Sequence, residues 1–146
     1  MTPSYAYRWF SPLLFAAAIV AFEASPLQAQ PLYNPQPLSG NEIDDVLSDK
    51  DIPTGEGGFA RDYRVSLENG DQVAIDLLSD EFDTIVTLIS ADGSTVAEND
   101  DGPDGSTNSL LFARISETGE YIVRVRAFGE TGGGDFTLKV TRLRPI

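Results

Sequence analysis

The stretch ARDYRVSLENGDQVAIDLL, Ala60 to Leu78, decides the fold class. Tyr63, Val65 and Leu67 alternate with Arg64 and Ser66, and Val73, Ile75 and Leu77 alternate again after an interruption. An apolar side chain at every second residue is the period of a strand with one buried face. Between the two runs stands Glu68-Asn69-Gly70-Asp71, and Asn-Gly readily supplies the positive φ that tight connections need. The expectation is a β-hairpin.

The same pattern continues on both sides. Upstream, EIDDVL (Glu42 to Leu47) reads as a first strand, with Ile43 apolar and Val46 and Leu47 closing it, followed by the loop DIPTGEGG. Downstream, DTIVTLIS is apolar on both faces and reads as a central strand. ADGS is a second turn, TVAE a short strand and SLLFARI another strand. In YIVRVRAF, Tyr121, Val123 and Val125 face inward while Arg124 and Arg126 face outward; FTLKVTRL closes the chain with Phe136, Leu138 and Val140 inward. No long run keeps a helical repeat. About eight strands separated by turn signals imply an all-β protein, best accommodated as an antiparallel β-sandwich.

The N-terminus has a different chemistry. Arg8 precedes an apolar run, Leu13 to Phe22, and Leu27-Gln28-Ala29 offers a small residue before a cleavage point. That is the layout of a signal peptide over residues 1–29. A run of this length reaches only about 15 Å as a helix, half the hydrocarbon thickness of about 30 Å, so it is read as an export signal rather than an anchor. Residues 30–41, with three prolines, read as a Pro-rich extended linker, leaving 42–146 as the domain. Cleavage after Ala29 leaves 117 residues, one domain. The mature protein is expected to be secreted or periplasmic.

Composition narrows the chemistry. The chain has no cysteine and no histidine, which removes thiolate and imidazole nucleophiles, bases and metal ligands. Any bound metal would take oxygen ligands, as calcium or magnesium does. Net charge is −13, and the acids crowd Glu42 to Asp104, where 18 face three bases. Such a surface repels nucleic acid and anionic membranes. Carboxylate pairs that hydrolyse glycosides stand about 5–9.5 Å apart across a cleft, and no pair here is marked by an apolar setting that would raise one pKa. The protein is read as non-catalytic.

Several motifs recur in a particular order. Gly70-Asp71 precedes a strand, Phe82-Asp83-Thr84 makes a corner, and Asp92-Gly93 and Asn99-Asp100-Asp101 follow. Gly119-Glu120-Tyr121 opens a late strand and Gly134-Asp135-Phe136-Thr137-Leu138 closes the domain. Together these resemble the bacterial pre-peptidase C-terminal domain family over roughly Glu42 to Leu143. The resemblance implies a jelly-roll-like β-sandwich, exported and usually appended to secreted proteases and other hydrolases. There it serves secretion, localisation or attachment to substrate. The collagen-binding domains of clostridial collagenases are similar in fold and bind calcium. This sequence departs from that pattern in carrying no protease domain, which speaks against a peptidase-processing role; attachment to a protein or polysaccharide is the expected function. A purely structural or secretion-associated role is the alternative, and a small carboxylate hydrolase a third.

The acid-dense segment AENDDGPDGSTN, Ala97 to Asn108, then has two readings. Starting at Asp100, the linear calcium loop fails because Gly102 and Leu111 stand where ligands are needed. A calcium ion would therefore have to draw Asp83, Asp100 and Asp101 together from separate loops. Otherwise these side chains accept hydrogen bonds from loop N–H groups and fix the bends. Arg124 and Arg126, with Arg114 a candidate neighbour, form either a solvated row or partners for cross-strand acids or an acidic ligand. Tyr63, Phe82, Phe112, Tyr121, Phe128 and Phe136 are candidates for a sugar-binding platform, but at strand spacing most read as core; Phe112 and Phe128 are the ones expected at the surface.

Overall fold

The computed structural model describes residues 33–129 and 132–143. The signal peptide and its cleavage after Ala29 lie outside these residues. Ten strands are formed: β1 (Gln36–Pro37), β2 (Glu42–Leu47), β3 (Ile52–Pro53), β4 (Phe59–Leu67), β5 (Gln72–Leu78), β6 (Thr84–Ile89), β7 (Thr95–Asn99), β8 (Ser109–Arg114), β9 (Gly119–Ala127) and β10 (Gly134–Leu143). The expected all-β sandwich stands, with two short strands, β1 and β3, added to the eight read from sequence. A six-stranded sheet runs β1-β4-β9-β6-β7, with β3 also beside β4, and a four-stranded sheet runs β2-β10-β5-β8. Among the described residues no helix is long and apolar enough to cross a membrane.

The alternation read from sequence sets the inner faces. Tyr63, Val123 and Leu88 stand in one row across β4, β9 and β6. Opposite them, Leu138 is flanked by Leu77 and Ile43, and Val140 by Ile75. All of these except the half-buried Ile43 are buried, and they share one core cluster. Each such aliphatic side chain contributes about 1.5–3 kcal/mol against chain entropy. Phe136 sits edge-on to both Tyr63 and Phe82, with ring centroids 6.4 Å apart in each pair.

The ENGD turn is not a hairpin. β4 pairs with β9, while β5 pairs with β10 and β8, so the turn carries the chain from one sheet to the other. Asp71 N–H donates to Glu68 O at 2.9 Å, and only Gly70 has positive φ (93°). Positive φ at the third position alone is the pattern of a type II turn, not of the primed turns that close two-residue hairpins. The turn is held from outside: Gly70 N–H donates to Ile115 O and Ile115 N–H to Asp71 O. The local sequence sets the bend; which strands pair beyond it is decided by distant partners. ADGS, in contrast, does close a hairpin, between β6 and β7.

Two smaller differences come from the edges. Within the stretch read as an extended linker, Gln36–Pro37 pair in parallel with Tyr63 and Arg64 of β4, and Leu38 N–H donates to Arg64 O. In β2 the inward positions are Ile43, Asp45 and Leu47, so Val46 points out and is 47% exposed. Asp45 is tolerated on the inner side because Arg61 and the Tyr63 hydroxyl bond its carboxylate at 2.9 and 2.8 Å at the margin between the sheets. Arg61 also reaches Asp51 at 2.7 Å. Burial opposes ionisation of Asp45, but the hydrogen bonds from Tyr63 and Val46 N–H and the Arg61 charge outweigh it and hold the carboxyl below its ordinary value.

Candidate binding groove

The outer face of the six-stranded sheet carries a row of polar residues. Cross-strand register sets Asp62 of β4 beside Arg124 of β9, Arg124 beside Thr87 of β6, and Thr87 beside Glu98 of β7. Arg124 grips Asp62 through Nε and Nη2, both at 2.8 Å, a bidentate pair. The Tyr33 hydroxyl, from the segment before β1, also donates to Asp62. Burial and then the hydrogen bond and charge of Asp62 push the Tyr33 hydroxyl up to about 12. At the other end of the row Thr87 donates to Glu98 at 2.7 Å and Arg126 at 3.0 Å. These contacts, the Thr87 hydrogen bond first, outweigh desolvation and depress the Glu98 pKa.

The arginines therefore meet cross-strand acids, one of the readings open from sequence. Arg114 does not join them; it lies on β8 in the other sheet.

Beside the row the chain builds a groove. The loop after β3 folds back, with Thr54 N–H and hydroxyl both bonded to Gly58 O, and it brings the Glu56 carboxylate to 3.6 Å from Arg126. The result is a cavity of about 380 Å³ whose walls include Glu56, Glu98, Asp100, Arg126 and Phe128, with Ile85 in its lining. A second hollow of about 240 Å³ shares Glu56, Glu98 and Arg126 and extends the groove to Thr87 and Arg124. Phe128 is 58% exposed, and its backbone is fixed by a 2.7 Å hydrogen bond from its N–H to Asp83 O. Phe112, the other aromatic expected at the surface, is 64% exposed but lies on β8. Tyr63, Phe82, Tyr121 and Phe136 are all buried, as read from the alternation.

The three candidate calcium ligands are placed differently. Asp83 is exposed at the corner before β6 and uses its carbonyl to hold Phe128. Asp100 is exposed and lines the groove. Asp101 is tied by its backbone: its N–H donates to the Asn99 side chain, and its carbonyl accepts from Asn99 Nδ2 and Leu110 N–H. Asp104 accepts from the N–H and hydroxyl of Ser106, which lower its pKa. Among the described residues no group of three acidic side chains that could hold a metal ion is found. Beside Asp100 and Asp101, the Asn99 and Asp104 side chains accept from the N–H two residues on, as in Asx-type turns.

Sequence reading did not single out Asp62 or Tyr33. Asp62 carries the only local hint, an acid on the face opposite Tyr63. Its burial follows from Arg124, 62 positions away, which local periodicity does not reveal.

The fold and groove define an all-β sandwich module, and the comparisons place it more closely. Residues 60–127, from β4 through β9, match the family described as bacterial pre-peptidase C-terminal domain. The resemblance read from the motifs is thereby confirmed. The chain is similar in structure to the pre-peptidase C-terminal domain of a collagenase from Bacillus anthracis. Identity is 13% and the TM-score 0.57, over 77% of this chain and 100% of that one. It is also similar to PliG of Aeromonas hydrophila, a periplasmic lysozyme inhibitor of g-type lysozyme. Here identity is 11% and the TM-score 0.55, over 74% of this chain and 95% of that one. At these identities the likeness is one of fold. No curated protein matches the chain.

Proposed function

We propose that this protein is an exported, non-catalytic binding module that attaches to an extracytoplasmic protein or polysaccharide through the groove on the outer face of its six-stranded sheet. The observation that carries this reading is the groove itself: a concave site lined by an exposed aromatic residue, Phe128, and by an ion-paired arginine. A few placed polar groups around a concavity, with an exposed ring to dock against, is the anatomy of recognition. Two further points support it. Pre-peptidase C-terminal domains are generally accessory domains and occur in secreted proteins, and PliG is periplasmic. Among the described residues the carboxylates whose ionisation departs from its ordinary value, Asp45, Asp92, Glu98 and Asp104, all depart downward, whereas glycoside hydrolysis needs one acid raised.

The test is retention. The mature protein is incubated with insoluble chitin, cellulose, collagen and gelatin, and the bound fraction and any soluble products are measured. Retention on one matrix, without product release and weakened by Phe128→Ala, is expected. Retention on none, or product release lost with one acid, overturns the reading.

A further inference from the structure

We infer that the groove takes an uncharged, hydroxyl-rich glycan chain, an inference that rests on the binding-module reading above and names its ligand. The argument is one of charge and shape. A polyanion meets a chain of net charge −13, with Glu56, Glu98 and Asp100 on the groove walls. A polycation meets the Arg126 guanidinium on the same wall, which already pairs with Glu98 at 3.0 Å and with Glu56 at 3.6 Å. A neutral polyol meets neither cost. Its hydroxyls both donate and accept, which suits walls that present carboxylate oxygens and a guanidinium side by side. The polar groups are already held: Glu98 by Thr87 and Arg126, and Arg124 by Asp62. Little side-chain freedom is lost on binding. Phe128, 58% exposed in the groove lining and with its backbone N–H bonded to Asp83 O, offers an apolar ring for the C–H face of a pyranose. The adjoining hollow, sharing Arg126 and Glu98, continues the groove along the sheet for neighbouring sugar units.

The experiment is calorimetric titration of the mature protein with β-1,4-linked hexasaccharides of glucose, N-acetylglucosamine, mannose and xylose. A heparin hexasaccharide and a soluble collagen peptide serve as controls. Binding of at least one neutral hexasaccharide is expected. Phe128→Ala should weaken it about tenfold, while Phe112→Ala, on the other sheet, leaves it unchanged. Heparin should not bind. Binding of the collagen peptide alone overturns the glycan inference and leaves the binding-module reading standing. Binding of none, together with no retention on any matrix, removes both. Glycan binding that survives Phe128→Ala places the sugar elsewhere and overturns the assignment to this groove. Both aromatics are exposed, so each variant is expected to fold, and an unchanged circular-dichroism spectrum checks that.

Discussion

Asp62 and Arg124 stand opposite each other on β4 and β9, joined by two hydrogen bonds of 2.8 Å, with the Asp62 side chain only 1% exposed and that of Arg124 33% exposed. The asymmetry sets what a substitution does. Arg124→Leu leaves a buried carboxylate with only Tyr33 to bond it. The expected cost is about 3 kcal/mol, the lower end for a broken buried pair because Arg124 is itself partly hydrated. The double variant Asp62→Leu, Arg124→Leu removes the stranded charge and should recover most of that loss. Denaturant unfolding of the three proteins measures both. Equal stability of the single and double variants would show that burial of Asp62 carries no penalty.

The Tyr33 hydroxyl reaches the same carboxylate from the segment that precedes β1. Tyr33 as a whole is 60% exposed, but desolvation where its hydroxyl meets Asp62, and then the hydrogen bond and charge of Asp62, raise its pKa to about 12 from an ordinary 10. A raised pKa means the folded state holds the proton more tightly than the unfolded one. The stabilisation is complete below pH 10 and is lost as pH rises toward 12. Tyr33→Phe should therefore flatten the alkaline fall in melting temperature between those values, and it should cost about 1 kcal/mol at neutral pH through the lost hydrogen bond. An unchanged alkaline limb in the variant would rule out Tyr33 as its source.

The sandwich was legible in the sequence wherever burial follows a strict two-residue period. Val73, Ile75 and Leu77, Tyr121, Val123 and Val125, and Phe136, Leu138 and Val140 all face the core as the alternation requires. The ENGD turn marks where that legibility stops. Asn-Gly supports a bend, but the pairing of β4 with β9 and of β5 with β10 depends on segments more than 50 residues away. The proline-containing β1 was hidden for a related reason. Only Gln36 and Pro37 pair, and an edge strand with a missing N–H carries no periodic signal. The groove was half visible: Arg124, Arg126 and the exposed Phe128 could be read, whereas the acids that hold the arginines arrive from β4, β7 and the loop after β3.

Gly133 shows a constraint that its place in a run of three glycines conceals. A Cβ at Gly133 would lie 2.6 Å from the carbonyl oxygen of Leu47, a backbone atom at the end of β2. Nothing flexible can yield there, so β2 and the start of β10 would have to part. Gly133→Ala is expected to cost about 1–3 kcal/mol, the range for overpacking. Gly70→Ala tests a different strain, since its φ is 93° with open space around it. Urea unfolding of both variants compares the two. Wild-type stability in Gly133→Ala would mean the strands do not approach as closely as this.

Acid should weaken the protein through Asp45 and Glu98. Both carboxyls are depressed in the folded state: Asp45 by Tyr63, Val46 N–H and Arg61 against its burial, and Glu98 by Thr87 and then Arg126, again against desolvation. The unfolded chain therefore binds protons first as pH falls. Their stabilising contribution is whole above the ordinary values of 4.5 for Glu98 and 3.8 for Asp45, and it disappears as pH drops through the lower folded values. Thr87→Val removes the leading hydrogen bond to Glu98 and should shift its titration back toward 4.5, readable by carboxyl NMR.

Calcium provides the sharpest check on the acidic loops. A cation bound only to the folded state would raise the melting temperature by mass action, and chelation would lower it. Among the described residues no group of three acids that could hold a metal ion is found, and the bend around Asp101 is already closed by Asn99 and Leu110. Melting curves in millimolar calcium and in chelator are accordingly expected to superimpose. Asn99→Ala, which removes the side chain bonded to both Asp101 O and Leu110 O, should lower the melting temperature equally in either buffer. A calcium-dependent rise of several degrees in the wild type, lost in Asp100→Asn or Asp83→Asn, would show that the loops rearrange around an ion and that hydrogen bonds alone do not hold them.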